Sequence, residues 1–191
     1  MEITERLMTR NDCYSAGRKI DVKGIMIHST AVPGVRAGEW YDMWNRSYSA
    51  GETDRQVCVH AFCDDTDVYQ YLPWNHRGWH AGGAANDTHI GIEICEPSGY
   101  VYDYSQGLRM IGYDVKANDA YFRRAFNVAV SLTAYLCRLF GLTERDVITH
   151  CEGHSLGIAS DHADVMHWFP LHGESMDTFR AAVSYEHRNN I

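Results

Sequence analysis

The sequence predicts an α/β domain built around a mixed β-sheet. Three observations predict it: short apolar, β-branched runs that end in turn-forming residues, longer segments with apolar residues at helical spacing, and the alternation of the two along the chain. No internal repeat or low-complexity linker interrupts that alternation.

KGIMIHST, residues 23–30, reads as a buried strand, because apolar residues run straight into His28 and a polar tip. AGEWYDMWNRSY, 37–48, places its aromatic residues and Met43 at helical spacing and predicts an amphipathic helix. RQVCVHAFCDDTDVYQYLP, 55–73, predicts a hairpin in which QVCVHAF is one strand, DDTD the turn and VYQYL the return. THIGIEICEP, 88–97, is a further apolar strand; it carries Glu93 and ends in a carboxylate and a proline.

Residues 98–118 are rich in Gly and Tyr and predict a surface excursion. NDAYFRRAFNVAVSLTAYLCRLFG predicts the long core helix, with Asn118 as its cap, Gly141 as its stop, and an apolar face of residues 122, 125, 126, 129, 132, 136, 139 and 140. DVITH reads as a short strand ending at His150. A last helix over 175–186 places Met176, Phe179, Ala182 and Val183 on one face.

Composition bounds the function. With 191 residues, 45% hydrophobic and 22% charged, the chain fits one compact domain over 1–191, with no appended repeat module and no apolar run of membrane-spanning length. Its first residues include acids and no apolar stretch of signal-peptide length, so synthesis in the cytoplasm without a Sec leader is expected. A formal charge of −8 and scattered lysines and arginines argue against a nucleic-acid partner. The six cysteines (13, 58, 63, 95, 137 and 151) form no CxxC pair, and several lie inside apolar runs, as expected of buried reduced thiols.

The segment 149–170, THCEGHSLGIASDHADVMHWFP, concentrates four histidines with Glu152, Asp161 and Asp164. A catalytic zinc site needs about three His, Cys or carboxylate ligands, an open position for water, and a carboxylate to move protons. His28, His150 and an acid within 161–164 could supply the ligands, and Glu93 the base. His28 and His150 both end strands, which would hold them on rigid backbone. Cys151 adjoins His150, and on extended backbone the two side chains would point to opposite faces, which argues against both binding one ion.

GIMIHST, VHAFCDDTDVYQYLP, GWHAGG, NDTHIGIEICEP and ITHCEG...HADVMHWFP, in this order, resemble the successive signatures of the zinc-dependent N-acetylmuramoyl-L-alanine amidases of type 2. That family includes phage endolysins, bacterial wall amidases and animal peptidoglycan recognition proteins. The resemblance implies a central mixed sheet flanked by α-helices, with Zn2+ at the floor of a peptidoglycan-binding groove.

It also implies roles position by position. His28 and His150 match the two zinc histidines, and Asp164 falls where the family has its third ligand, although DVM replaces the usual Asp-Pro-Gly turn and Asp161, His154 and Cys151 compete for the place. Glu93 matches a glutamate that serves some members as general base, and Val59 stands where others use a tyrosine. His162 occupies the position of a lysine that stabilises the oxyanion in many relatives. His80 matches a histidine lining the substrate groove, and His60 is expected beside the substrate as well. Gly82 and Gly83 would let substrate approach the backbone, and Trp74 or Trp79 could stack on a sugar.

The implied reaction is hydrolysis of the amide between N-acetylmuramic acid and L-alanine of the stem peptide. A non-catalytic peptidoglycan-binding module is the contrasting expectation, and an amidase acting on another amide is a third. The implied setting is a phage or prophage endolysin that reaches the cell wall by holin-dependent release, without inserting into the membrane.

Overall fold

The computed structural model describes residues 1–105 and 107–189. The chain runs through β1 (Thr4–Glu5), α1 (Asp12–Ala16), β2 (Gly24–Ser29), α2 (Trp40–Trp44), β3 (Ala61–Cys63), β4 (Val68–Gln70) and β5 (His89–Ile94). It continues through β6 (Val101–Asp103), β7 (Arg109–Ile111), α3 (Val115–Phe140), β8 (Val147–Thr149), α4 (His150–Ser155) and α5 (Met176–Asn189). Six strands form one mixed sheet in the order β1-β4-β3-β5-β2-β8. β2 lies parallel to both β5 and β8, β3 is parallel to β5, and the β3–β4 hairpin supplies the antiparallel pair. The expected α/β class with a central mixed sheet is the observed one.

Alternation along the central strands divides the sheet into two faces. Ile25 and Ile27 of β2 and Ile90, Ile92 and Ile94 of β5 are fully buried with Phe122, Ala129, Leu132 and Leu136 of α3 and Phe179 and Val183 of α5. Met26 packs on the other face, against Ala81 and Ala85. There too Phe62 packs with Trp40 of α2 and Cys13 of α1. All six residues of β2 are buried, which is why it reads as an unbroken apolar run. His28 lies on the Met26 face, opposite the long helix.

Several element bounds differ from the sequence-based expectation. α3 begins at Val115, because Asp114 caps it by accepting from Ala117 N at 3.0 Å; Asn118 sits in the first turn and donates to Asp114 O. Gly141 stops the helix at φ 66°, as expected, but Leu139 on the expected apolar face is exposed.

The helix expected over 37–48 is a 3-10 turn followed by the short α2. Carboxylates end it: Asp12 accepts from Ser49 N at 2.7 Å and Glu52 from Ser47 N at 2.9 Å, taking backbone donors out of a helix. The strand expected from residue 56 joins the sheet only at Ala61, since Cys58 pairs with Trp79 instead. The 98–118 excursion contains the β6–β7 hairpin. All six cysteines are free, and five of them are buried. Among the described residues no helix is long and apolar enough to cross a membrane.

Candidate active site

Three elements converge beyond the ends of β2 and β8. β2 carries His28, and β8 runs directly into α4, whose first residue is His150. Thr149 makes that abrupt change possible through a capping box: its hydroxyl accepts from Glu152 N at 3.0 Å, and the Glu152 carboxylate accepts from Thr149 N at 3.0 Å. His150 therefore opens a helix rather than closing a strand. Asp164 lies in a turn pinned from below by Val165 and Trp168, both fully buried.

His28, His150 and Asp164 are 2%, 3% and 8% exposed, and their ligating atoms all lie within 4.8 Å of one another. His28 Nδ1 is 3.1 Å from Asp164 Oδ2 and 3.2 Å from His150 Nδ1; the third edge, His150 Nδ1 to Asp164 Oδ2, is 3.7 Å. Ligands at about 2.0–2.1 Å around a tetrahedral zinc stand about 3.3–3.4 Å apart, so the triangle has the right size for one such ion.

The outer ring nitrogens show which atoms in this triangle carry protons. His80 Nε2 faces the carbonyl of His89 at 3.1 Å and must donate to it, leaving His80 Nδ1 to accept from His28 Nε2 at 3.0 Å. His150 Nε2 lies 3.1 Å from Ser160 Oγ, whose hydroxyl donates to Ala81 O at 3.2 Å. Each histidine thus holds its proton on the outer nitrogen and turns a bare Nδ1 inward. Two lone pairs and a carboxylate oxygen then converge with no proton between them, a donor set that suits a cation. The expected competitors lie elsewhere: Asp161 is 88% exposed and pairs with the exposed His154, at 4.0 Å. Cys151 is half-buried and meets the ligand turn only through its backbone, donating from N to Asp164 O at 3.4 Å.

Electrostatics follow burial. Desolvation pulls His28 below the usual histidine range, partly offset by Asp164, and pulls His80 well below it. Burial opposes ionisation of Asp164, but the adjacent His150 and His28 outweigh it and hold the carboxyl far below its ordinary value.

Glu93 pairs in register with His28 on the adjacent parallel strand, so both side chains rise from the same sheet face. Its Oε2 is buried with no hydrogen-bond partner among the described residues. Burial, reinforced by the charges of Asp164 and Glu96, pushes Glu93 well above the carboxylate range. His162 is exposed, stacks on His150 with ring centroids 4.3 Å apart, and lies 3.1 Å by Nδ1 from Ser160 Oγ.

His80 and His60 occupy other places than those expected of substrate-lining residues. His80 backs His28 through the hydrogen bond above and is half-buried. His60 is fully buried, with Nε2 donating to His76 O at 2.8 Å and Nδ1 accepting from Gly91 N at 2.9 Å, so neither ring nitrogen is left for a substrate. Gly82 and Gly83 abut protein: a Cβ on Gly82 would stand 2.6 Å from Ser160 Oγ, and one on Gly83 2.5 Å from Ile158 O. Trp74 and Trp79 both pack against core clusters.

Two participants escaped sequence reasoning. Ser160 sits in the irregular run SLGIASDH, where no periodicity singles out one hydroxyl. Glu96, only 1% exposed, accepts from Tyr100 and Tyr102 and lies 3.1 Å from His167 Nε2, tying the β6–β7 hairpin to the turn that carries Asp164. His167 belongs to that node.

A mixed sheet thus brings two histidines, an aspartate and a neighbouring glutamate together at the ends of its central strands, an arrangement that could hold a metal ion beside a carboxyl group. The chain belongs to the N-acetylmuramoyl-L-alanine amidase family, whose type 2 model matches residues 17–168. It is similar to the N-acetylmuramoyl-L-alanine amidase XlyA of Bacillus subtilis strain 168, with 41% identity over 75 residues, 38% of this chain and 24% of XlyA. The amidase CwlA of a Bacillus species is 30% identical over 112 residues, 56% of this chain and 38% of CwlA. The chain thus spans a quarter to two fifths of the length of these relatives.

Among solved structures, the catalytic domain of XlyA superposes with a TM-score of 0.69 at 24% identity, covering 96% of this chain and 99% of that one. The Staphylococcus aureus hydrolase AmiA in complex with its ligand gives 0.71 at 22% identity, covering 98% and 83%. At that identity the likeness establishes the fold.

Proposed function

We propose that this chain hydrolyses the amide joining the lactyl group of N-acetylmuramic acid to L-alanine of the stem peptide in bacterial peptidoglycan, with zinc held by His28, His150 and Asp164. The observation that carries the reading is the close, buried triangle of His28 Nδ1, His150 Nδ1 and Asp164 Oδ2 beside Glu93 Oε2, which has no hydrogen-bond partner among the described residues. Family membership and the amidase relatives support the choice of bond.

A bound zinc supplies Lewis acidity, polarising the scissile carbonyl and lowering the pKa of an attacking water. Glu93 takes the proton from that water as its oxygen joins the carbonyl carbon. The C–N bond then breaks, and Glu93 returns the proton to the departing amine of L-alanine. His162, at the open edge beside His150, donates from Nε2–H to the developing oxyanion when its ring carries a proton on both nitrogens. His80 and His60 serve as supports, His80 by fixing the ring of His28 and His60 by joining backbone segments beneath it.

In this reading residues 1–191 act as one catalytic unit, and the protein works on the cell wall as an endolysin released with a holin. Mass spectrometry of purified peptidoglycan after digestion tests the reaction. New free L-alanine amino termini together with intact glycan strands are expected; cleavage at a glycosidic or stem-peptide bond, or binding without cleavage, would refute it.

A further inference from the structure

We infer that Ser160 is a positioning residue shared by the two working parts of the site, holding both the metal-facing tautomer of His150 and the orientation of His162. The inference rests on the zinc reading above and extends it to a residue beyond the ligand set.

The argument is one of hydrogen-bond capacity. A serine hydroxyl has one proton to give and two lone pairs to receive. Ser160 Oγ has three polar neighbours: Ala81 O at 3.2 Å, His150 Nε2 at 3.1 Å and His162 Nδ1 at 3.1 Å. A carbonyl can only accept, so the single proton goes to Ala81. Both imidazole nitrogens must then donate, which uses the full capacity of the oxygen. His150 is thereby obliged to carry its proton on Nε2 and to present a bare Nδ1 to Asp164 and His28. His162 is obliged to carry one on Nδ1 and to turn Nε2 outward, while the stack on His150 fixes the plane of its ring.

The backbone fixes Ser160 in this place. Ser160 N donates to Ala81 O at 2.9 Å, and Ala85 N donates to Ile158 O at 2.9 Å, clamping the Ser160 segment to the one that follows His80. Gly82, at φ 62°, leaves the hydroxyl its room. The two zinc histidines are thus supported alike, each through a side chain that ends on a backbone carbonyl: His28 through His80 to His89 O, and His150 through Ser160 to Ala81 O. Such outer partners orient a metal-binding imidazole, and their loss costs about 10- to 100-fold in metal affinity.

The test compares wild type with Ser160→Ala, which removes the hydroxyl and nearly preserves volume. Zinc affinity is measured by competition with a chelator, thermal melting is followed in the metal-free proteins, and imidazole N–H signals are recorded by NMR in the zinc-loaded ones. The expected result is zinc affinity about 10- to 100-fold weaker with unchanged metal-free melting. The His150 Nε2 proton should exchange too fast to be seen, while that of His28, held by His80, persists. Unchanged affinity would overturn the inference, and so would a parallel loss of affinity, metal-free stability and both N–H signals, which would mark a purely structural serine. If wild type itself binds no zinc, the zinc reading fails first and the role of Ser160 falls with it.

Discussion

His28 and Glu93 stand side by side, in register on adjacent parallel strands, with both side chains on the sheet face away from the long helix. This places a carboxyl group beside a proposed metal ligand without any loop having to close. It also separates two roles by experiment. Glu93→Gln keeps the shape but cannot accept the proton, so hydrolysis should fall by about 10²- to 10⁴-fold. Elemental analysis should find zinc retained. Loss of zinc together with activity would make Glu93 a ligand instead.

Metal removal should abolish hydrolysis, and zinc should restore it. His28→Ala, His150→Ala and Asp164→Ala should each lose stoichiometric zinc, because two remaining ligands hold the ion poorly. Asp161→Ala should keep it, since that carboxylate is 88% exposed and outside the triangle. Zinc lost from Asp161→Ala but kept by Asp164→Ala would move the third ligand.

His162→Ala should retain zinc and lower kcat by about 10²- to 10³-fold, the usual cost of one oxyanion donor. His162→Lys should recover part of the rate and shift the optimum to higher pH, because lysine stays protonated well above the histidine range. A wild-type rate in His162→Ala would reduce that residue to a loop side chain stacked on His150.

Burial pushes His60 down to about 4, against 6.5 for a free histidine. Below pH 6.5 the unfolded chain binds a proton that the folded one refuses. The associated stability is therefore complete above that pH and is lost as pH falls toward 4, amounting to about 3 kcal/mol. NMR titration should find the ring neutral at about pH 5, and urea midpoints should drop across the same window. A His60 midpoint near the free value would contradict the sealed environment.

Gly82→Ala should destabilise more than Gly157→Ala. Both glycines have positive φ, 62° and 74°, so each substitution carries about 1–2 kcal/mol of left-handed strain. Only Gly82 also drives its new methyl to 2.6 Å from Ser160 Oγ, whereas Gly157 faces open space. Overpacking adds about 1–3 kcal/mol, and denaturant unfolding of the two variants should resolve the difference.

Much of this molecule is determined by its sequence alone. The unbroken apolar run of β2, the helical face of α3 with its Gly141 stop, and the face of α5 follow from local periodicity, which acts over a few residues and needs no partner. His28, His150, Asp164 and Glu93 were legible through ordered motifs that tie each to an element.

Tertiary structure decided what depends on contacts distant in the chain. Asp12 took the Ser49 backbone donor beyond α2 from 37 residues away, and Gly91 N together with His76 O turned His60 from an expected substrate contact into a buried support. That Asp164 is buried against His28, 136 positions away in sequence, while Asp161 stays exposed is visible only in space. The place of Ser160 was likewise set only in space. A hydroxyl in an irregular loop has no periodic signature, and its role arises when Ala81, 79 residues earlier, takes its one proton and leaves two lone pairs for histidines.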